Sequence, residues 1–123
     1  MKIYVGHSKQ LDNEEQLYQP IRDSLLNDEH QFILPHEIHK EFEKVKSIDI
    51  IKNCDLMIAE VSFSATGLGI ELGWANAFNC PIIFIYKKGS KLAGSLKLLS
   101  DDFIEYDSSK DMIEKIRNIL KKM

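Results

Sequence analysis

Hydrophobic residues fall along the chain in short β-rich runs separated by longer stretches of helical spacing. Lys2 to Val5 (KIYV), Gln31 to Leu34 (QFIL), Asp55 to Val61 (DLMIAEV), Pro81 to Tyr86 (PIIFIY) and Phe103 to Tyr106 (FIEY) read as strands. The third is apolar until Glu60, as a strand covered on both faces should be. Leu17, Ile21 and Leu25 form one apolar helical face; Phe42, Val45, Ile48 and Ile51 form another within Lys40 to Asn53. Gly67 to Asn79 and Met112 to Leu120 supply two more helices, and Leu92 to Leu99 a short apolar turn. Asp12 followed by Glu15 resembles a capping box, and Pro20 predicts a kink or a helix that starts afresh.

Strands alternating with helices build right-handed βαβ units around a parallel sheet. The predicted fold class is therefore α/β: a three-layer, flavodoxin- or Rossmann-like single domain over residues 1–123, with a five-stranded parallel sheet in the order 2-1-3-4-5. In such a sheet ligands gather at the carboxyl ends of strands 1 and 3. That rule points to two loops, Gly6 to Asp12 and Ser62 to Glu71.

Charge sharpens the second of these. Between Val61 and Tyr86 the one charged residue is Glu71, although 28% of the chain is charged and a stretch of that length would ordinarily hold about 7 charges. A buried carboxylate must be hydrogen-bonded, have a raised pKa or face a cavity. We take the third as the expectation. A net charge of -3 argues against a partner with a nucleic-acid backbone, and no apolar run approaches the roughly 20 residues of a membrane helix. Met1 to Val5 reads as a strand rather than a signal peptide. Cys54 and Cys80 match no metal or redox spacing, so a reduced, cytoplasmic protein without metal or cofactor is expected.

The glycines read G-L-G-I-E-L-G, which is not the dinucleotide fingerprint, and the loop after strand 1 is no Walker A sequence. A receiver domain would want acidic residues at the end of strand 1, and there are none. What remains is a helix start with free N–H groups, the hydroxyls of Ser62, Ser64 and Thr66, and Glu71 one turn in. Such a start can bind an anion, and its dipole favours an ionised Glu71, as a nucleophile requires. Each residue also has a plainer reading. Glu71 fits a structural pair with Tyr4, the hydroxyls are common turn and cap residues, and Glu60 reads as structural. His36 and His39 flank Glu37 but lack a third ligand, and Trp74 and Phe78 read first as core or dimer interface, with base stacking by Trp74 as the alternative.

The run A-E-V-S-F-S-A-T-G-L-G-I-E-L-G-W-A resembles the signature of the nucleoside 2-deoxyribosyltransferase superfamily. It is most similar to the branch containing the 2'-deoxynucleoside 5'-monophosphate N-hydrolases. The opening I-Y-V-G, the N-C-D before strand 3 and the pair Gly94-Ser95 extend the likeness. The resemblance implies that Glu71 attacks the anomeric carbon of a deoxyribosyl group and expels the base, and that Tyr4 orients it. It implies a homodimer in which Ser95 reaches the partner's site. The expected substrate-binding set is Gly6, His7, Ser8 and Lys9 in the first switch-point loop and Ser62, Ser64, Thr66, Gly67 and Gly69 in the second, to which the resemblance adds Ser95.

Two positions depart from the family pattern. The aspartate expected eight residues before Asp55 is Ser47, with Asp49 about 200° further round a helix. The serine expected just after strand 3 aligns with Ala65, leaving Ser64 or Thr66 to serve. Protonation of the departing base is assigned to Asp49, His7 or water. The expected activity is cleavage of a 2'-deoxynucleoside 5'-monophosphate. A deoxyribosyltransferase, cleavage of a different N-glycoside, and a catalytically silent nucleotide-binding module are the alternatives.

Overall fold

The computed structural model describes residues 1–38 and 47–123. A five-stranded parallel sheet runs in the order β2-β1-β3-β4-β5, from β1 (Lys2–His7), β2 (Gln31–Ile33), β3 (Leu56–Glu60), β4 (Ile82–Lys87) and β5 (Phe103–Tyr106). One face carries α1 (Gln19–Arg22), α2 (Leu26–Glu29) and α5 (Ser109–Lys121); the other carries α3 (Ser47–Lys52) and α4 (Thr66–Ala77). The predicted α/β class, three-layer arrangement and strand order are all present.

Strand alternation divides the core. Ile3, Val5 and Ile58 pack with Leu17, Ile21, Met112 and Ile116 on one side. Tyr4, Met57 and Ala59 pack with Ile51, Leu68, Leu72 and Ala75 on the other. Each β3 residue is buried, which explains the unbroken apolar run that stops at Glu60.

Local chemistry sets the helix limits. Before Pro20 the chain winds as a π-helical turn, Glu14–Tyr18, closed by Gln19 N–H donating to the Glu14 carbonyl. Regular α geometry then resumes with the proline near its start, where the missing N–H matters least. The expected capping box is weak, with Glu15 N–H at 3.5 Å from Asp12 Oδ1. α4 ends in a Schellman motif. Asn79 takes a left-handed φ of 59°, Cys80 N–H donates to Ala75 O at 2.8 Å, and Asn79 N–H to Asn76 O at 3.1 Å. α5 is capped by Ser108, which accepts from Asp111 N–H. Ser47–Lys52 is helical as expected; Phe42, Val45 and His39 lie outside the described residues. No helix among the described residues is long and apolar enough to cross a membrane. Both cysteines are free.

Candidate active site

The period-2 alternation of β1 decides what each of its last residues meets. Tyr4 and Gly6 face α4; His7 faces the π-helical turn before α1. Tyr4 is fully buried, and its hydroxyl donates to Glu71 Oε2 from the second turn of α4. At Gly6 a Cβ would fall 2.7 Å from Met57 Cε, 3.1 Å from Leu68 Cδ1 and 3.5 Å from Glu71 Oε1. The space at Gly6 is taken by the Met57 and Leu68 side chains, and the carboxylate lies within ordinary contact distance above it.

Above Glu71 opens a cleft of about 780 Å3. Its walls come from the end of β1 and the following turn (Tyr4, His7, Ser8, Lys9, Gln10), the turn after β2 (Pro35, His36) and Ser47 of α3. The start and exposed flank of α4 complete it with Ser64, Ala65, Gly67, Leu68, Ile70 and Trp74. These are the loops at the carboxyl ends of adjacent strands, where the fold gathers ligands. Two other hollows, one at the amino edge of the sheet and one between α1 and α5, lack Glu71 and both of these loops.

Burial raises the Glu71 pKa above the usual carboxylate range; hydrogen bonds from Tyr4 and Ser47 pull it back without cancelling the shift. The expected dipole effect does not prevail, because it fades beyond the first helical turn and Glu71 sits in the second. Burial first, and then the adjacent Glu71 charge, push the Tyr4 phenol far above its ordinary range, so it remains a donor.

His7 is committed elsewhere. Its Nδ1 lies 2.9 Å from the Ser8 carbonyl, which can only accept, so Nδ1 carries the proton. Nε2 then accepts from the Tyr18 hydroxyl at 2.7 Å, and Tyr18 in turn accepts from His36 N–H at 3.2 Å. Burial lowers the His7 pKa and keeps this neutral tautomer. The expectation that His7 protonates the departing base therefore fails: neither nitrogen is available.

The structure brings together Tyr4, Glu71, His7, Ser8, Lys9, Ser64 and Gly67 along the cleft, with Gly6 beneath it. Other expected residues lie outside its walls. Asp49 is exposed on α3, since two residues of helix turn it away from Ser47. The Ser62 hydroxyl donates to Glu60 and accepts from Lys87 N–H, so it is already engaged. Thr66 is exposed at the start of α4 and Gly69 on its outer side. Ser95 is exposed on the 3₁₀ turn Gly94–Leu98, and any part it takes needs a second copy of the chain. Sequence reasoning did not assign Gln10, His36 or Trp74 to the site. Signals for two of them existed: Trp74 shares a helix face with Glu71, and His36 follows the strand beside β1.

No family model matches the chain. A Syntrophotalea carbinolica protein named "Putative 2'-deoxynucleoside 5'-phosphate N-hydrolase 1" is 33% identical over 76 residues, or 57% of this chain and 51% of the relative. The chain thus spans about half the length of the curated relative it matches. Among solved structures, the Clostridium botulinum CMP N-glycosidase BcmB is 25% identical with a TM-score of 0.63, over 95% of this chain and 99% of that one. A 2-deoxyribosyltransferase from Bacillus psychrosaccharolyticus shares the fold at 20% identity and a TM-score of 0.60, over 91% and 90% of the two chains. So does a conserved protein from Enterococcus faecalis V583, at 15% identity and a TM-score of 0.62, over 96% and 98%.

Proposed function

We propose, from the premise that the chain belongs to the nucleoside 2-deoxyribosyltransferase superfamily, that it cleaves the N-glycosidic bond of a 2'-deoxynucleoside 5'-monophosphate. One observation carries this reading: Glu71, the one carboxylate among the described residues of the cleft, is held by the Tyr4 and Ser47 hydroxyls at the floor of walls formed by Ser8, Lys9, Ser64 and the start of α4.

In this reading a Glu71 carboxylate oxygen attacks C1' as the bond to the base breaks, giving a glycosyl ester on Glu71. Water then attacks C1', returns the carboxylate and retains the anomeric configuration. Tyr4 and Ser47 hold the carboxylate in line for attack. Protonation of the base falls to water. Lys9, the Ser8 and Ser64 hydroxyls and the free N–H groups of α4 suit a 5'-phosphate; a free 5'-hydroxyl would not need them. A homodimer would add Ser95 from a second copy.

The test is incubation with deoxynucleotides, deoxynucleosides and ribonucleotides, CMP included, with and without an acceptor base, followed by chromatography. Free base from a deoxynucleotide is the expected result. Exchange only in the presence of an acceptor base would make the protein a transferase. Binding without turnover would make it a nucleotide-binding module. Base release undiminished in Glu71→Ala would remove Glu71 as nucleophile.

A further inference from the structure

We infer that Glu60 is a positioning residue for the anion-binding wall of the cleft, acting from the opposite face of the sheet. The mechanism above does not use it, and it does not line the cleft. Yet Glu60 is 1% exposed and its carboxylate is fully engaged. It accepts from Ser62 N–H at 2.6 Å, from the Ser62 hydroxyl at 3.0 Å and from the Tyr106 hydroxyl. Ser62 Oγ accepts in turn from Lys87 N–H at 2.8 Å. Glu60 thus ties the carboxyl ends of β3 and β5 directly, and that of β4 through the Ser62 hydroxyl.

A carboxylate this buried is tolerated only when its oxygens find donors. One of the donors here is a backbone N–H, which cannot rotate away as a hydroxyl can, so the Ser62 peptide is held in one orientation. Ser64 and the N-terminus of α4 follow directly, and they form the cleft wall assigned to the phosphate. Lys87 is the last residue of β4, from which the chain departs toward the turn carrying Ser95. Both serine-bearing segments thus leave the sheet from points tied to Glu60. The inference rests on the reading of that wall as a phosphate site.

The test compares wild type, Glu60→Ala and Glu60→Gln by amide hydrogen exchange and by steady-state kinetics on a deoxynucleotide and its nucleoside. In Glu60→Ala the Ser62 amide should exchange at least about tenfold faster and the KM for the nucleotide should rise on the order of tenfold, the scale of one charge-assisted hydrogen bond. Its kcat and the nucleoside KM should stay near wild type. Glu60→Gln should restore most of both, because its amide oxygen still accepts from Ser62 N–H while the hydroxyls turn to accept from its NH₂. Unchanged exchange in Glu60→Ala, a fall in kcat at constant KM, or equal KM increases for nucleotide and nucleoside would each overturn the inference. The exchange arm needs no substrate, so it separates failure of the strut from failure of the proposed activity. Should Glu60→Ala not fold, Ser62→Ala replaces it. The Lys87 amide should then lose protection while the amide at position 62 keeps it, and an unchanged Lys87 amide would overturn the link between the two loops.

Discussion

Glu60 and Glu71 stand on either side of the turn that joins β3 to α4, and they serve opposite faces of the sheet. Glu60 points to the side of α1 and α5, where a backbone N–H and two hydroxyls meet its oxygens. Glu71 points to the side of α3 and α4, where two hydroxyls meet it and a cleft opens above. Burial alone does not mark a reactive carboxylate. What separates the pair is whether the coordination closes, as at Glu60, or leaves an approach for another molecule, as at Glu71.

The largest expected effect lies at Glu71. Glu71→Gln should lower base release by a factor on the order of 10⁴, since the proposed covalent step would be lost. The same variant tests the electrostatics through stability. The folded-state pKa of Glu71 is raised, so its favourable contribution is complete in acid, below the unfolded value, and is lost as pH rises through the folded value. The melting temperature of Glu71→Gln should therefore gain on wild type from acid to neutral pH. A constant difference across that range would mean that Glu71 is not desolvated.

Tyr4→Phe removes the donor that aims the carboxylate and should cost about 10²-fold in kcat with a smaller change in KM. Unchanged kcat would leave Tyr4 a packing residue. A weaker effect is expected from Ser47→Ala, which removes a donor that favours the charged form of Glu71. The ascending limb of its pH–rate profile should move to higher pH, with a loss below tenfold well above that limb. Movement toward lower pH would contradict the hydrogen-bonding role. Gly6→Ala should show the smallest effect, about 1 kcal/mol of stability by chemical denaturation. The nearest atom to the new Cβ is the flexible end of Met57, which can give way.

Much of this molecule was legible as one-dimensional pattern. β-rich runs alternating with helical spacing dictated the parallel sheet and its order, because right-handed crossovers leave few alternatives. A charge-poor stretch interrupted by Glu71 marked the carboxylate, and the crossover rule placed it beside the loop after β1. The sequence could not say which neighbours satisfy which polar atom. Ser62 and Ser64 look alike along the chain, but Glu60 and Lys87 engage the first while the second lines the cleft. His7 was a plausible acid until the Ser8 carbonyl and the Tyr18 hydroxyl occupied both its nitrogens. Asp49 and Ser47 are close in sequence, and only the winding of α3 against α4 turned the serine to Glu71 and the aspartate to solvent. Periodicity reports which face of an element is apolar. Hydrogen-bond partners come from distant segments whose approach the packed tertiary structure alone decides.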